Sequence, residues 1–206
     1  MNHHFKTHWQ TVYQTKASTD VSWYQPVPRL SLELIHTLGL SPEAALLDVG
    51  GGSSTLVDHL LKEGFTNITV LDLAAEALVQ SQKRLGDAAS RAQWIEADIT
   101  VWQPSRRYDL WHDRAVFHFM IDPALRSQYI KVLKGALTPG GHVVIATFGP
   151  DAPTRCSGLD VCRYSAADLN AVLGPTFRFV RSEVEEHITP AGRTQQFLYG
   201  LWRTEA

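Results

Sequence analysis

Residues 46–55, Leu46-Leu47-Asp48-Val49-Gly50-Gly51-Gly52-Ser53-Ser54-Thr55, constrain this chain more than any other stretch. Two apolar residues lead into an acid, three glycines follow, and Ser-Ser-Thr-Leu-Val opens an amphipathic segment. A strand, a tight turn and a helix start are thus packed together. Glycine lets the backbone bend sharply and lets a ligand approach it closely. Free N–H groups at a helix start favour polar or anionic ligand groups. In an open α/β sheet such a turn lies at the carboxyl end of a strand, beside the ends of its neighbours.

The rest of the chain supplies those neighbours. Ala45–Gly50, Asn67–Leu73, Gln93–Ala97, Arg107–His112 and His142–Phe148 read as strands. Ser53–Glu63, Ala74–Leu85 and Pro123–Leu137 read as helices between them, stopped by Gly64, Gly86 and Pro139-Gly140-Gly141. Val143 to Thr147 is apolar throughout, as a central parallel strand requires. Alternation of this kind predicts a parallel sheet with helices on both faces. The end differs. A helix over Ser165–Leu173 precedes strands over Phe177–His187 and Gln195–Trp202, joined through Thr189-Pro190-Ala191-Gly192. So short a connection makes an antiparallel hairpin.

Ahead of the first strand, Pro28–Leu40 reads as a helix with Leu30, Leu34, Ile35 and Leu38 on one face. Before it stand Trp9, Tyr13, Trp23 and Tyr24. These aromatics either pack on the sheet or fold over a ligand as a lid. A chain of 206 residues fits one domain, with an aromatic arm and helix over 1–40 and a core over 41–206. A hydrophobic content of 44% with 19% charged residues indicates a globular protein. The net charge of −2 gives no reason to expect a nucleic-acid partner. No apolar run is long enough to span a membrane, and Met1 to Gln10 lack the apolar core of a signal peptide. Cys156 and Cys162 are the only cysteines, which suits a reducing cytoplasmic setting and leaves no metal-ligand set.

Three acids fall at consecutive predicted strand ends: Asp48, Asp72 and Asp98. An acid about 20 residues beyond a glycine turn can accept hydrogen bonds from ribose hydroxyls. The next can take an exocyclic adenine amine, with Leu73 and Ile99 flanking the flat base. A nicotinamide dinucleotide is disfavoured, because Thr55 replaces the last glycine of G-x-G-x-x-G. Asp48, two residues before the first glycine, suits a cationic ligand instead.

With those residues in view, the chain resembles the class I S-adenosylmethionine-dependent methyltransferases over roughly residues 40–204. Asp48-Val49-Gly50-Gly51-Gly52 is similar to that family's D/E-x-G-x-G motif, Asp72 to its ribose-binding acid and Asp98 to its adenine-binding acid. Tyr108-Asp109-Leu110-Trp111 is similar to its fourth motif, and Leu137-Thr138-Pro139-Gly140-Gly141 to its L-x-P-G-G. Ser54 departs from the third glycine of many members. The resemblance implies a single Rossmann-like, doubly wound seven-stranded sheet in the order 3-2-1-4-5-7-6, with strand 7 antiparallel. It implies S-adenosylmethionine as cofactor, held by Asp48, Gly50, Gly52, Asp72, Leu73, Asp98, Ile99 and Asp113. Trp9-x-x-x-Tyr13 followed by Trp23-Tyr24 resembles the arm of elongation-factor lysine methyltransferases. That resemblance adds Trp9, Tyr13 and Tyr24 to the cofactor site.

The reaction implied is in-line attack on an activated methyl group, which the protein mainly positions and desolvates. The informative residues then follow the fourth strand. Asp113-Arg114-Ala115, Asp122-Pro123, Arg126 and Tyr129 are similar to thiopurine and halide/thiol methyltransferases. Asp113 would accept from cofactor or substrate, Arg114 would hold an anionic substrate, and His118 would act as general base. Arg114 reads equally as an ion-pair partner of Asp113 or Asp122, and His118 as a core histidine. The loop from Asp151 to Tyr164 should overlie the substrate end, where Arg155, Cys156 and Arg163 can read an acceptor. His187 can reach the rim. The expected function is methyl transfer to a small-molecule acceptor, a thiol or similar soft nucleophile. A protein lysine acceptor and a non-catalytic cofactor-binding protein are the alternatives.

Overall fold

A computed structural model describes residues 3–205. Helices α1 (His3–Thr15) and α2 (Arg29–His36) form an N-terminal layer. The alternating core is β1 (Leu46–Val49), α3 (Leu56–Lys62), β2 (Ile68–Asp72), α4 (Ala75–Leu85), β3 (Ala92–Glu96), β4 (Tyr108–Arg114), α5 (Pro123–Ala136) and β5 (Leu137–Phe148). A small hairpin, β6 (Arg155–Cys156) and β7 (Leu159–Asp160), precedes α6 (Ala166–Leu173). Strands β8 (Phe177–Ile188) and β9 (Thr194–Thr204) end the fold.

The sheet runs β3-β2-β1-β4-β5-β9-β8. The first five strands pair in parallel, and β9 lies antiparallel between β5 and β8. That is the expected order, with the terminal hairpin supplying the sixth and seventh strands. Every residue of β1 and β2 is buried, because helices cover both faces. One face packs Trp9, Ile35, Leu60, Val70 and Val144 against α1 to α4. The other packs Trp111, Tyr129, Leu133, Ile145 and Leu169 against α5 and α6. Asp122 starts α5 by accepting from the N–H of Ala124, with Pro123 as the first helical residue. Ser165 and Asp168 form a capping box on α6. No helix among the described residues is long and apolar enough to cross a membrane.

The fold departs from expectation at four elements. Helix α3 begins at Leu56 rather than Ser53, because Arg84 donates to the carbonyls of Ser53 (3.3 Å) and Ser54 (2.6 Å). Strand β4 runs on to Arg114, which pairs with Ala146. Strand β5 starts at Leu137. Its register slips between Tyr108 and Leu110, and Gly140 at φ +73° sits in the displaced segment. Helix α1 was legible only as an aromatic arm, although Phe5, Trp9, Val12 and Tyr13 carry the i, i+4, i+7, i+8 spacing of a helix face.

Candidate functional site

Strand β1 delivers the chain into the glycine turn at the carboxyl edge of the sheet. Gly50 turns there with φ +67°, donating to the Leu71 carbonyl at 2.7 Å. A side chain on Gly50 would strike Val116, and one on Gly52 would strike Asp72 and Ala77. The turn thus lies flush against the β2 end and the β4–α5 connection.

Asp72 closes β2. It accepts from the N–H of Gly52 (3.1 Å) and of Ala74 (2.8 Å). Burial pushes its carboxyl up to about 6; the two backbone donors oppose that shift, and the Asp48 charge adds to it. Asp48 is buried, with Oδ1 at 2.7 Å from His112 Nδ1 and no partner on Oδ2. Asp98 is half-buried, and its Oδ1 accepts from the Thr100 N–H (2.9 Å) and hydroxyl (2.6 Å).

Asp72, Leu73, Ala97 and Ile99 line a cleft at the carboxyl edge of the sheet. Arg114, Ala115, Val116 and Phe119 from the β4–α5 connection line it too, with Val49 and Gly50 from the glycine turn. Phe5, Trp9, Tyr13 and Trp23 cover it from the N-terminal layer, and Cys156 reaches it from the β6–β7 hairpin. The Trp9 ring meets Trp23 edge-on at 5.5 Å and Phe119 at 5.2 Å. The arm therefore both packs on the fold and walls the cleft. A second recess shares Gly50 with the cleft and has Tyr24, Asp48, Gly51, His112 and Thr55 among its lining.

The arm is fastened by core side chains. Arg114 donates to the Trp23 carbonyl (2.9 Å) and the Tyr199 hydroxyl (2.7 Å), and pairs with Glu185 at 3.4 Å. Gln25 donates to Glu185 at 2.8 Å, and His187 Nε2 donates to the Ser22 carbonyl at 2.7 Å. Gln80 holds the Tyr13 carbonyl at 2.6 Å. Arg114 is thus an ion-pair partner, but of Glu185 rather than Asp113 or Asp122, and these bonds fasten it to the arm.

Two other expectations are corrected. Asp113 was expected to face cofactor or substrate. Because β4 continues through it, alternation turns its side chain toward α5. There it is fully buried and accepts from the N–H groups of Val116 (2.9 Å) and Phe117 (3.1 Å) and from the Tyr129 hydroxyl (2.5 Å). Burial pushes its carboxyl up to about 7, opposed by those donors. His118 was expected as a general base. It is fully buried, and its Nδ1 accepts from the Phe148 N–H at 3.2 Å. Burial, with a smaller push from Arg114, lowers it to about 3, so the ring is neutral and carries its proton on Nε2.

The loop after β5 is internally tied. Arg163 donates to the carbonyls of Pro150 and Ala152, and Arg155 pairs with Asp160 in solvent. Burial pushes the Cys156 thiol up to about 12. No cluster of three or more potential metal ligands exists among the described residues. The sequence assigns no individual role to His112, Phe5 or Val116, and Trp23 enters only as one of the arm's aromatics. His112 was findable, since it faces Asp48 across a parallel pair.

Residues 47–143 match a family described as a methyltransferase domain. The malonyl-[acyl-carrier protein] O-methyltransferase of Paenibacillus sp. (strain JDR-2) is 31% identical over 121 residues, 56% of this chain and 43% of that protein. Thiocyanate methyltransferase 1 of Brassica oleracea is 24% identical over 165 residues, 79% of this chain and 64% of that one. The chain spans between 40 and 50% of the length of the first curated relatives it matches. Among solved structures, the Burkholderia thailandensis 1,6-didemethyltoxoflavin-N1-methyltransferase, with bound 1,6-didemethyltoxoflavin and S-adenosylhomocysteine, superposes with a TM-score of 0.72 at 19% identity. It covers 98% of this chain and 88% of that one, a likeness of fold.

Proposed function

We infer that this chain, whose residues 47–143 match a methyltransferase domain, is a class I S-adenosylmethionine-dependent methyltransferase that binds S-adenosylmethionine in this cleft and methylates a small, soft nucleophile such as a thiol. One observation carries the cofactor assignment: Asp48 and Asp72 end adjacent strands on either side of a glycine turn too close-packed for side chains.

The residues present fit that cofactor. Asp72 is available to ribose hydroxyls, and Leu73 and Ile99 offer apolar faces to a flat base. Asp98 is assigned to the exocyclic amine, Asp48 to the cationic amino end, and Gly50 and Gly52 to close backbone approach. Trp9 and Tyr13 cover the cleft, and Tyr24 the recess beside it. When bound, the sulfonium supplies an already activated methyl group. The chain's own work is to orient the acceptor and exclude water, which suits the Phe5, Trp9, Trp23 and Phe119 rings that line the cleft.

A soft acceptor is supported by the engagement of the ionisable groups around the cleft. Asp113 faces away, His118 is neutral and buried, Arg114 is engaged, and the Cys156 thiol is protonated at neutral pH. A nucleophile that needs no base from the protein suits such a wall, and one relative is named for thiocyanate, a soft sulfur anion.

Calorimetric titration with S-adenosylmethionine, S-adenosylhomocysteine and NAD tests the cofactor, and labelled methyl transfer to a panel of thiols, selenols and metalloids tests the acceptor. Binding of the first two without NAD, and transfer to a thiol, are expected. Binding of NAD alone would overturn the assignment. Label found only in a protein band of a lysate would move the acceptor to protein lysine. Tight cofactor binding with no transfer would leave a non-catalytic binder.

A further inference from the structure

We propose that His112 and Ser31 are positioning residues that aim Asp48 at the amino end of the bound cofactor, a role that rests on the function inferred above. Strands β1 and β4 are parallel neighbours in which Asp48 pairs with His112, so the two side chains leave the same sheet face at the same height. His112 Nδ1 lies 2.7 Å from Asp48 Oδ1, and its Nε2 lies 2.9 Å from the Ser31 hydroxyl on α2. All three residues are buried.

The chemistry of the three groups sets the direction of the bonds. A ring nitrogen facing a carboxylate donates to it, so Nδ1 carries a proton. In the neutral ring Nε2 then accepts from the Ser31 hydroxyl. One link therefore runs from the N-terminal layer, through the imidazole, to one oxygen of Asp48. It holds the carboxylate in one rotamer.

The consequence falls on the other oxygen. Asp48 Oδ2 is buried and has no hydrogen-bond partner, a costly state for a carboxylate unless a ligand donates to it. A side chain on Gly51 would collide with this same oxygen, so Oδ2 sits directly beneath the glycine turn. Both line the recess next to the cleft, together with Gly50 and Ser53. Arg114 also lines that recess, but its nitrogens go to Tyr199, Trp23 and Glu185. The recess thus presents an anionic acceptor that matches a ligand ammonium.

The test compares S-adenosylhomocysteine with 5′-methylthioadenosine, which keeps the nucleoside and thioether but lacks the amino-acid end. Affinities of wild type, His112→Gln and Ser31→Ala are measured by calorimetry, with thermal melts as a fold check. For His112→Gln, S-adenosylhomocysteine should weaken about tenfold while methylthioadenosine stays within about twofold. Ser31→Ala should show about a threefold loss with the same selectivity, and it carries the test if His112→Gln does not fold. Equal losses for both ligands would mean that His112 only supports the fold, and no loss for either would mean that Asp48 is held without it; both results overturn the proposal. A wild type that binds neither nucleoside overturns the inferred function itself, and this role with it.

Discussion

Replacing Gly50 by alanine should destabilise the fold by about 2–5 kcal/mol, through two separable causes. Gly50 holds φ +67°, and an L-residue in that left-handed region costs about 1–2 kcal/mol. A Cβ there also overlaps a methyl of Val116, and forcing an extra group into a packed wall costs about 1–3 kcal/mol. The second cause has a named partner, so it can be removed. Val116→Ala, truncating a half-buried side chain, should cost about 1 kcal/mol alone. In the double variant the overlap disappears while the backbone strain stays, so the two changes should couple favourably by about 1–3 kcal/mol. Urea unfolding followed by tryptophan fluorescence on the four proteins of the cycle measures the coupling. Additivity within about 0.5 kcal/mol, or a Gly50→Ala cost below about 1 kcal/mol, would refute the close approach of turn and wall.

Three further outcomes are expected. Asp72→Ala should weaken S-adenosylhomocysteine by about 1.5–3 kcal/mol in a calorimetric titration, and unchanged affinity would mean that the ribose is held elsewhere. Asp113 has its carboxyl raised to about 7, so the stability it contributes is present below about 4 and lost as pH rises through 7. The difference in unfolding free energy between wild type and Asp113→Asn should fall by a few kcal/mol from pH 4 to 7.5. Taking that difference cancels His118, whose lowered value gives the opposite slope, and a flat difference would show that Asp113 is not held in a desolvated site. Cys156, 3% exposed with its thiol raised to about 12, should resist alkylation at pH 8 in the native protein and react once unfolded; peptide mapping that finds rapid native labelling would contradict its burial.

The legible part of the candidate site was local in sequence. Asp48, Gly50, Gly52 and Asp72 could be placed because each follows directly from a strand end or a turn, and the backbone carries them to one edge of the sheet whatever packs on top. Leu73 and Ile99 followed from the same logic, and both line the cleft. The catalytic assignments after the fourth strand did not survive contact with the fold. They assumed that the chain had left the sheet by His112. Strand β4 continues to Arg114, and side-chain alternation then sends His112 and Arg114 to one face and Asp113 to the other. Two residues of strand length reversed which carboxylate meets which neighbour.

The sequence by itself determined the alternating sheet, the antiparallel hairpin that ends it, and the acid and glycine positions at the carboxyl edge, because period, turn residues and strand-end acids are written within a few residues of one another. Only the tertiary structure decided the partners. Glu185, 71 residues from Arg114, takes its guanidinium; Ser31, 81 residues from His112, takes its ring; Tyr129 takes Asp113 from the helix beyond. Such pairs depend on which faces of distant elements meet, and a carboxylate or imidazole acquires its charge, its tautomer and its availability from that meeting rather than from its own place in the chain.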